Sequence, residues 1–134
     1  MINGQELRLG NMILHKANNK ISRVPCSYQH FELLAKGDSA SMYPIVLKAD
    51  ILEQCGFVEN KDYALYPEAR EFILLLPVIG NNKNELFAYI KNNGECFGRA
   101  SVNGAVASNN FYNLHQLQNL FYALTGNELQ MKLK

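Results

Sequence analysis

The fold of this chain is decided by residues 85–112, which read ELFAYIKNNGECFGRASVNGAVASNNFY. Two Asn-Gly pairs, Asn93-Gly94 and Asn103-Gly104, each separate two stretches that are compatible with β-strands. Asn-Gly favours a two-residue hairpin turn because both residues tolerate a positive φ. The segment therefore predicts an antiparallel meander of three strands, at 85–92, 95–102 and 105–112.

The length of the two turns decides which side chains share a face of this meander. With two-residue loops, Ile90 faces Phe97 and Ala100 faces Ala107. One face then carries Phe87, Tyr89, Ala100, Val102, Ala105 and Ala107. The small residues in this set leave room for a helix to pack closely against the sheet.

That helix is predicted directly after the meander. Asn113 is a suitable N-cap, Gln116 can complete a capping box, and Gly126 can end the helix. Apolar residues recur at spacings of three and four, at Leu114, Leu117, Leu120, Phe121 and Leu124. Residues 128–134 then alternate apolar and polar side chains, which predicts a terminal strand.

The segment before the meander predicts a short helix and a buried strand. Residues 50–55 place apolar side chains at helical spacing, and Gly56 can form a left-handed cap. Residues 63–66 are compatible with a short strand. Residues 71–79 are typical of a mostly buried strand with Pro77 near its end.

The N-terminal third predicts a small β lobe. Residues 13–16 and 20–26 flank an asparagine-rich loop that can reverse the chain as a hairpin. Residues 28–35 and 43–47 are also compatible with strands. Four short strands in so little sequence predict a small SH3-like barrel.

Length and composition agree with a protein of two small lobes. The chain has 134 residues, of which 48% are hydrophobic and 19% charged, so it can build a core and is not typical of a disordered chain. We expect an α+β protein, with a barrel-like lobe at 1–47 and a lobe at 48–134 in which an antiparallel sheet packs against a C-terminal helix. The net charge of +1 provides no strong overall attraction to nucleic acid or acidic lipid.

The cysteines and the hydropathy pattern predict a cytoplasmic protein without a membrane anchor. Cys26, Cys55 and Cys96 are odd in number and widely spaced, which favours free buried thiols in a reducing compartment. The N-terminus lacks the apolar stretch of a signal peptide. The longest apolar run, residues 72–79, is far shorter than the ~20 residues that a membrane helix needs.

No catalytic, metal or cofactor motif is visible. His15, His30 and His115 have no Cys, Asp or Glu at a recognised ligand spacing, and turns and caps account for the glycines. We therefore expect no enzyme activity, no metal and no cofactor.

Arg99 is the first candidate for ligand binding, because it lies in the meander where an apolar residue is expected. A partly buried arginine needs an anion, a carboxylate or a backbone acceptor. One alternative is an internal partner such as a glutamate. The other is a small anionic ligand bound by Arg99 together with Tyr89 and Tyr112.

Two further surfaces are candidates. The polar face of the last helix is a candidate interaction surface. It consists of His115, Gln116, Gln118 and Asn119. Capping, or hydrogen bonds to neighbouring loops, would also explain these polar side chains.

Residues 1–47 contain five basic and three acidic residues, a net charge of +2, and could bind single-stranded nucleic acid. The residues for this contact are Arg8, Lys16, Lys20, Arg23 and Tyr28; the alternative is a solubilising rim around a core aromatic residue.

Three segments of the chain resemble a known family. They are ELRLGN at 6–11, PIVL and ILEQCGF at 44–47 and 51–57, and HQLQNL with ALTG at 115–120 and 123–126. They are similar to a family of small proteins of gut Bacteroidales that has no assigned activity and is often found in prophages or other mobile elements. The sequence departs from that family at Val46 and Lys48, where Pro and Thr are more common.

The resemblance implies a genomic setting and no catalytic residues. It favours a non-enzymatic accessory binding protein of a phage or mobile element. The alternatives are a protein that sequesters a nucleotide signal or other small anion as an antagonist of host defence, and weak nucleic-acid binding through the N-terminal lobe.

Overall fold

The computed structural model describes residues 2–38, 41–78 and 80–132, and in these ranges the chain forms two antiparallel sheets, three α-helices and one 3₁₀ turn. The predicted α+β class is therefore confirmed. Among these residues, none of the helices has both the length and the apolar character needed to cross a lipid bilayer.

The first sheet has three strands, in the spatial order β2-β1-β3: β1 (Met12–Ala17), β2 (Lys20–Pro25) and β3 (Met42–Tyr43). The predicted hairpin between the first two is confirmed. Its turn residues, Asn18 and Asn19, both have a positive φ, of 53° and 63°. This is the backbone of a tight turn whose twist matches that of the flanking strands.

The strand predicted at residues 28–35 is wrong, because this segment forms helix α1 (Tyr28–Ala35). Ser27 is its N-cap, and the Nδ1 atom of His30 accepts the backbone N–H of Ser27 at 2.9 Å, so a histidine completes the capping box. Phe31 and Leu34 pack against a small core around the hairpin. The i, i+3 spacing of these two apolar residues outweighs the β-propensity of the aromatic residues.

The expected SH3-like barrel is not confirmed. A helix replaces one strand, and the strand predicted at 43–47 is reduced to β3, since Pro44 cannot donate a ladder hydrogen bond. Val46 instead forms an isolated bridge with Asn113. The described residues of this lobe form an open sheet rather than a closed barrel.

The second sheet has five strands that lie side by side in chain order. They are β4 (Val58–Asn60), β5 (Ala69–Leu75), β6 (Asn84–Lys91), β7 (Cys96–Val102) and β8 (Ala105–Val106). The strand predicted at 63–66 is wrong, because none of these residues joins a sheet and 64–66 lie in turns, and β4 was not predicted. The strand predicted at 71–79 exists as β5 but ends before Pro77, and residue 79 lies outside the described residues.

The first predicted turn of the meander has the wrong length. Lys91 donates its N–H to the carbonyl of Glu95, and Gly94 donates to the carbonyl of Lys91, both at 2.9 Å, so the loop holds three residues. Ile90 is therefore opposite Cys96 rather than Phe97. Because side chains alternate along a strand, this shift of one residue moves Phe87 and Tyr89 to the face opposite Ala100.

The second turn of the meander is confirmed. Asn103 and Gly104 have φ angles of 52° and 86°, and Ala107 donates to the carbonyl of Ala100 at 2.9 Å. The third strand is shorter than predicted, because β8 ends at Val106. Beyond the contacts of Ala107 and Ser108 with Ala100, the chain pairs with β7 again where Phe111 bridges Gly98.

Helices α2 (Ala49–Gln54) and α3 (Leu114–Thr125) contribute to one core with the inner face of the five-stranded sheet. The predicted capping box of α3 and its end at Gly126, with a φ of 73°, are confirmed. The small residues of this inner face are Ala88, Gly98 and Ala100. The buried residues that meet there include Leu47, Ile51, Leu52, Phe72, Leu86, Leu114 and Leu117.

The terminal segment forms no strand over residues 127–132. Leu129 is buried, and the N–H of Lys132 donates to the carbonyl of Gln54 at 2.8 Å. The segment thus pairs with the end of α2 instead of a sheet edge, which is why the predicted strand is wrong there. Residues 133–134 of that prediction lie outside the described residues.

Candidate functional site

The outer face of the five-stranded sheet is the strongest candidate site. Along each strand, side chains point alternately to the inner face, which packs in the core with α2 and α3, and to the outer face, which these helices do not cover. Three of its large apolar side chains are exposed, Val58 by 70%, Leu75 by 68% and Val106 by 58%. Val58 and Leu75 border one cleft together with Ile73, and contiguous exposed apolar surface of this kind commonly marks a binding site.

Aromatic rings form a row at the centre of this outer face. The ring of Tyr89 is stacked between those of Phe87 and Phe97, with centroid distances of 6.5 and 5.3 Å. Tyr63, from the turn segment after β4, lies 5.7 Å from Tyr89 in a tilted arrangement. Such parallel and tilted contacts are favourable geometries for aromatic rings.

Two cations flank this row. The Cζ atom of Arg99 lies 5.7 Å from the ring centre of Tyr89, and the Nζ atom of Lys91 lies 5.6 Å from that of Phe97. Across residues 2–38, 41–78 and 80–132, Lys91 also forms an ion pair with Glu95, whereas the guanidinium of Arg99 forms no ion pair and no hydrogen bond. The internal partner of Arg99 is therefore a ring rather than the expected glutamate.

Glu71, a buried carboxylate on the same face, already has neighbours within the protein. Its Oε1 accepts the amide of Asn60 at 2.9 Å. Burial, followed by the interaction of its hydroxyl with the Glu71 carboxylate, raises the pKa of Tyr89 to about 12. Tyr89 is therefore a neutral hydrogen-bond donor at physiological pH, and its ring is held in place beneath Arg99.

Tyr112 lies apart from the pair formed by Arg99 and Tyr89. It is exposed and lines a cleft of about 570 Å³ beside the edge of β7, which Phe97, Lys91 and Val46 also line. The structure thus brings two of the three predicted ligand residues together. The third borders a neighbouring cleft that shares Phe97 and Lys91 with the outer face.

The predicted interaction surface on α3 is mostly turned inward. His115 is buried, and its Nε2 atom lies 3.2 Å from Oε2 of Glu6, which also accepts the amide of Gln116. Gln118 is buried too, and its Oε1 accepts the N–H of Met12 at 2.8 Å. This placement favours the alternative interpretation, that these side chains make internal hydrogen bonds between the N-terminal segment and α3.

Asn119 and Arg8 continue the same internal contact. Asn119 donates to the carbonyl of Glu6 at 2.6 Å and accepts from Nε of Arg8 at 3.1 Å. Arg8 also pairs with Glu128 and lies 4.5 Å from the ring centre of Tyr122. Because its guanidinium is held in this way, Arg8 is not part of an open nucleic-acid surface.

The other predicted nucleic-acid residues do not share one surface. Lys16 and Arg23 lie on one face of the first hairpin, since Lys16 is opposite Ile21 and strand side chains alternate, whereas Lys20 lies on the other face. Tyr28 is exposed on α1 rather than on a strand. The five residues predicted to bind nucleic acid therefore lie on several different surfaces.

Sequence reasoning missed the aromatic row because it assigned the wrong length to one loop. Phe87 and Tyr89 are two residues apart on β6, and Phe97 and Arg99 are two residues apart on β7. This period of two was visible, and a three-residue loop would have placed all four on one face.

Within the described ranges, no group of three or more His, Cys, Asp or Glu side chains is arranged to hold a metal ion. No protein-family model, curated protein or solved structure matches the chain.

Proposed function

We propose that this chain is a non-enzymatic binding protein whose outer sheet face takes a ligand that joins an anionic group to a flat apolar ring, as a nucleotide does. The observation that supports this proposal most directly is the guanidinium of Arg99, which contacts the ring of Tyr89 and has no anionic partner among the described residues. An arginine supplies several N–H donors in one plane, which suits phosphate and carboxylate groups.

The arrangement of the outer face supports a ligand of this size. Val58, Ile73, Phe87 and Arg99 are successive cross-strand neighbours on four strands. With neighbouring strands roughly 4.8 Å apart, this line extends about 14 Å from an exposed valine to the arginine. The planar ring of such a ligand would lie on Val58, Ile73 and Phe87, and the anionic group of the same ligand would reach the guanidinium of Arg99.

The family resemblance supplies the setting of the proposal. In a phage or mobile element, a small protein that binds a nucleotide would sequester a signal of host defence. Cytoplasmic location is part of the same proposal, and the three free, buried cysteines support it.

Calorimetric titration with adenosine and guanosine monophosphates, their cyclic forms and ATP tests this function. We expect binding to at least one of them, weakened by about tenfold or more in Arg99→Ala, which corresponds to about 1.4 kcal/mol. Lys20→Ala, an exposed lysine of the other sheet that lies outside both proposed binding faces, is the control and leaves the affinity unchanged. Absence of binding at millimolar concentration contradicts the proposed ligand class, and turnover of a bound nucleotide contradicts the non-enzymatic part.

A further inference from the structure

One face of the three-stranded sheet carries cations around exposed apolar residues. Lys16 is opposite Ile21, and Leu14 lies between Arg23 and Tyr43 on the two neighbouring strands. Because cross-strand partners share a face, these five side chains project from the same side. We call this side the basic face.

The opposite side of the same sheet faces α1. Ile13 and His15 alternate with Leu14 and Lys16, and Ile13 is buried in the small core with Phe31 of α1, while His15 contacts His30. The basic face is therefore the side that points away from α1. Leu14 on this side packs against the larger core, whereas Lys16, Ile21 and Arg23 are exposed.

A third cation joins the basic face from the segment before α2. Arg23 and Lys48 line one groove of about 400 Å³, and the side chains between them are apolar, namely Leu14, Pro44, Ile45, Val46 and Ile51. Asp50 in the first turn of α2 is the acidic residue nearest to Lys48 in sequence. Two of the apolar residues on this side, Ile21 and Val46, are largely exposed.

The cations of the basic face differ from the paired cations elsewhere. Lys61 and Arg70 both bind Glu59, and Arg8 binds Glu128. Over the described part of the chain, by contrast, Lys16, Arg23 and Lys48 form no ion pair.

We propose that the basic face binds single-stranded nucleic acid. Three unpaired cations would contact successive phosphates, and the bases would lie against Tyr43, which is 37% exposed, and against Ile21 and Val46. Grooves that combine cations with an aromatic ring and apolar surface bind single strands with little sequence preference, since every base has a stacking face. The proposal is independent of the ligand of the outer face, because it uses a different sheet.

The proposed contact predicts a defined dependence on salt. Each phosphate contact to a single strand contributes about −0.7 to the slope of log affinity against log salt concentration. Three contacts therefore give a slope of about −2. Removal of one cation should reduce the slope by about 0.7, and this reduction distinguishes a phosphate contact from a purely structural role.

Fluorescence anisotropy with a fluorescein-labelled 20-nucleotide oligo-dT, in 20 to 200 mM NaCl, provides the test. Lys16→Glu, Arg23→Glu and Lys48→Glu are each expected to weaken binding at least fivefold in 20 mM NaCl. Lys20→Glu is the matched control, because Lys20 is an exposed lysine on the other face of the same hairpin. It is expected to change the affinity less than twofold. Circular dichroism melting of each variant verifies that the fold is retained.

Three outcomes would overturn the proposal: no binding in 20 mM NaCl, an affinity independent of salt, or a loss in Lys20→Glu equal to that of the other variants. Labelled polyglutamate that binds more tightly than oligo-dT, with the same dependence on Lys16 and Arg23, would assign the face to an acidic polypeptide instead. Arg99→Ala should leave oligo-dT binding unchanged, so failure of either proposal is recognisable separately.

Discussion

Gly98 and Phe111 pack so closely that the phenyl ring occupies the position of a β-carbon on Gly98, with the nearest ring atom 2.1 Å from that position. Two backbone hydrogen bonds of 2.8 Å, one in each direction, join the same two residues. Phe111 is buried, and α3 begins three residues later. The missing side chain of Gly98 thus admits the ring that ends the meander and anchors the helix to the sheet.

Gly98→Ala should therefore lower the free energy of unfolding by about 1 to 3 kcal/mol, because the added methyl group overpacks the contact and displaces the ring. Urea denaturation measures the change. In a double-mutant cycle with Phe111→Leu, the two substitutions should be less destabilising together than the sum of the single effects. A Gly98→Ala variant as stable as the parent protein would show that the ring moves without cost.

Arg8, which is half-buried, should contribute to stability more than the exposed cations. Its guanidinium donates to Glu128 and Asn119 and packs on Tyr122, so several contacts depend on one side chain. We expect Arg8→Ala to lower the free energy of unfolding by about 1 to 2 kcal/mol. Glu128→Ala should cost less than about 1 kcal/mol, because it removes one solvent-exposed ion pair.

Chemical denaturation in 0.05 and 0.5 M NaCl measures both variants. Arg23→Ala is the control, since Arg23 is exposed and forms no ion pair among the described residues, and it should be within about 0.5 kcal/mol of the parent. Equal losses in Arg8→Ala and Arg23→Ala would contradict the role assigned to Arg8.

The contact between His30 and His15 should make the protein less stable in weak acid. Burial, followed by the charge of His15, lowers the pKa of His30 below its usual 6.5. The unfolded chain then binds a proton more readily than the folded protein, so stability falls as the pH decreases from about 6.5 towards the folded pKa. Glu59 does not contribute in this range, because Arg70 and then Lys61 lower its pKa to about 2.

His30→Gln tests this dependence, because glutamine can accept the N–H of Ser27 in the capping box and does not titrate. Melting temperatures at pH 7.5, 6.5 and 5.5 should decrease for the parent protein and change less for the variant. Equal decreases in both proteins would assign the acid sensitivity to other groups.

The three cysteines should be unreactive in the folded protein. All are buried, and burial raises the pKa of Cys55 to about 12 and that of Cys96 to about 11. Because the thiolate is the reactive form, a thiol reagent at pH 8 should modify none of them within minutes and all three in 6 M guanidinium chloride. Rapid modification of one thiol in native buffer would show that its surroundings open.

Some elements could be predicted because their signals lie within a few residues of one another. The Asn103-Gly104 turn, the cap formed by Asn113 and Gln116, and the end of α3 at Gly126 each satisfy backbone groups of their own segment. For such features, the chemistry of neighbouring residues decides the conformation before any distant contact forms.

Other features depended on distant contacts. The loop at Asn93-Gly94 could hold two or three residues, and core packing of Leu86, Ala88 and Ala100 agrees only with the three-residue register. The segment 28–35 has both aromatic residues that suit a strand and an apolar spacing that suits a helix. Its burial against Ile13 and Met42 selects the helix.

The sequence by itself therefore determined the α+β class, the Asn103-Gly104 turn and the two ends of α3, because these are settled by local backbone geometry and by the period of apolar residues. Only the tertiary structure decided which cations are free. Arg8 is paired with Glu128 across more than a hundred residues, while Arg99 and Arg23 form no ion pair among the described residues. Charge pairing depends on proximity in space, and no pattern along a single chain specifies it.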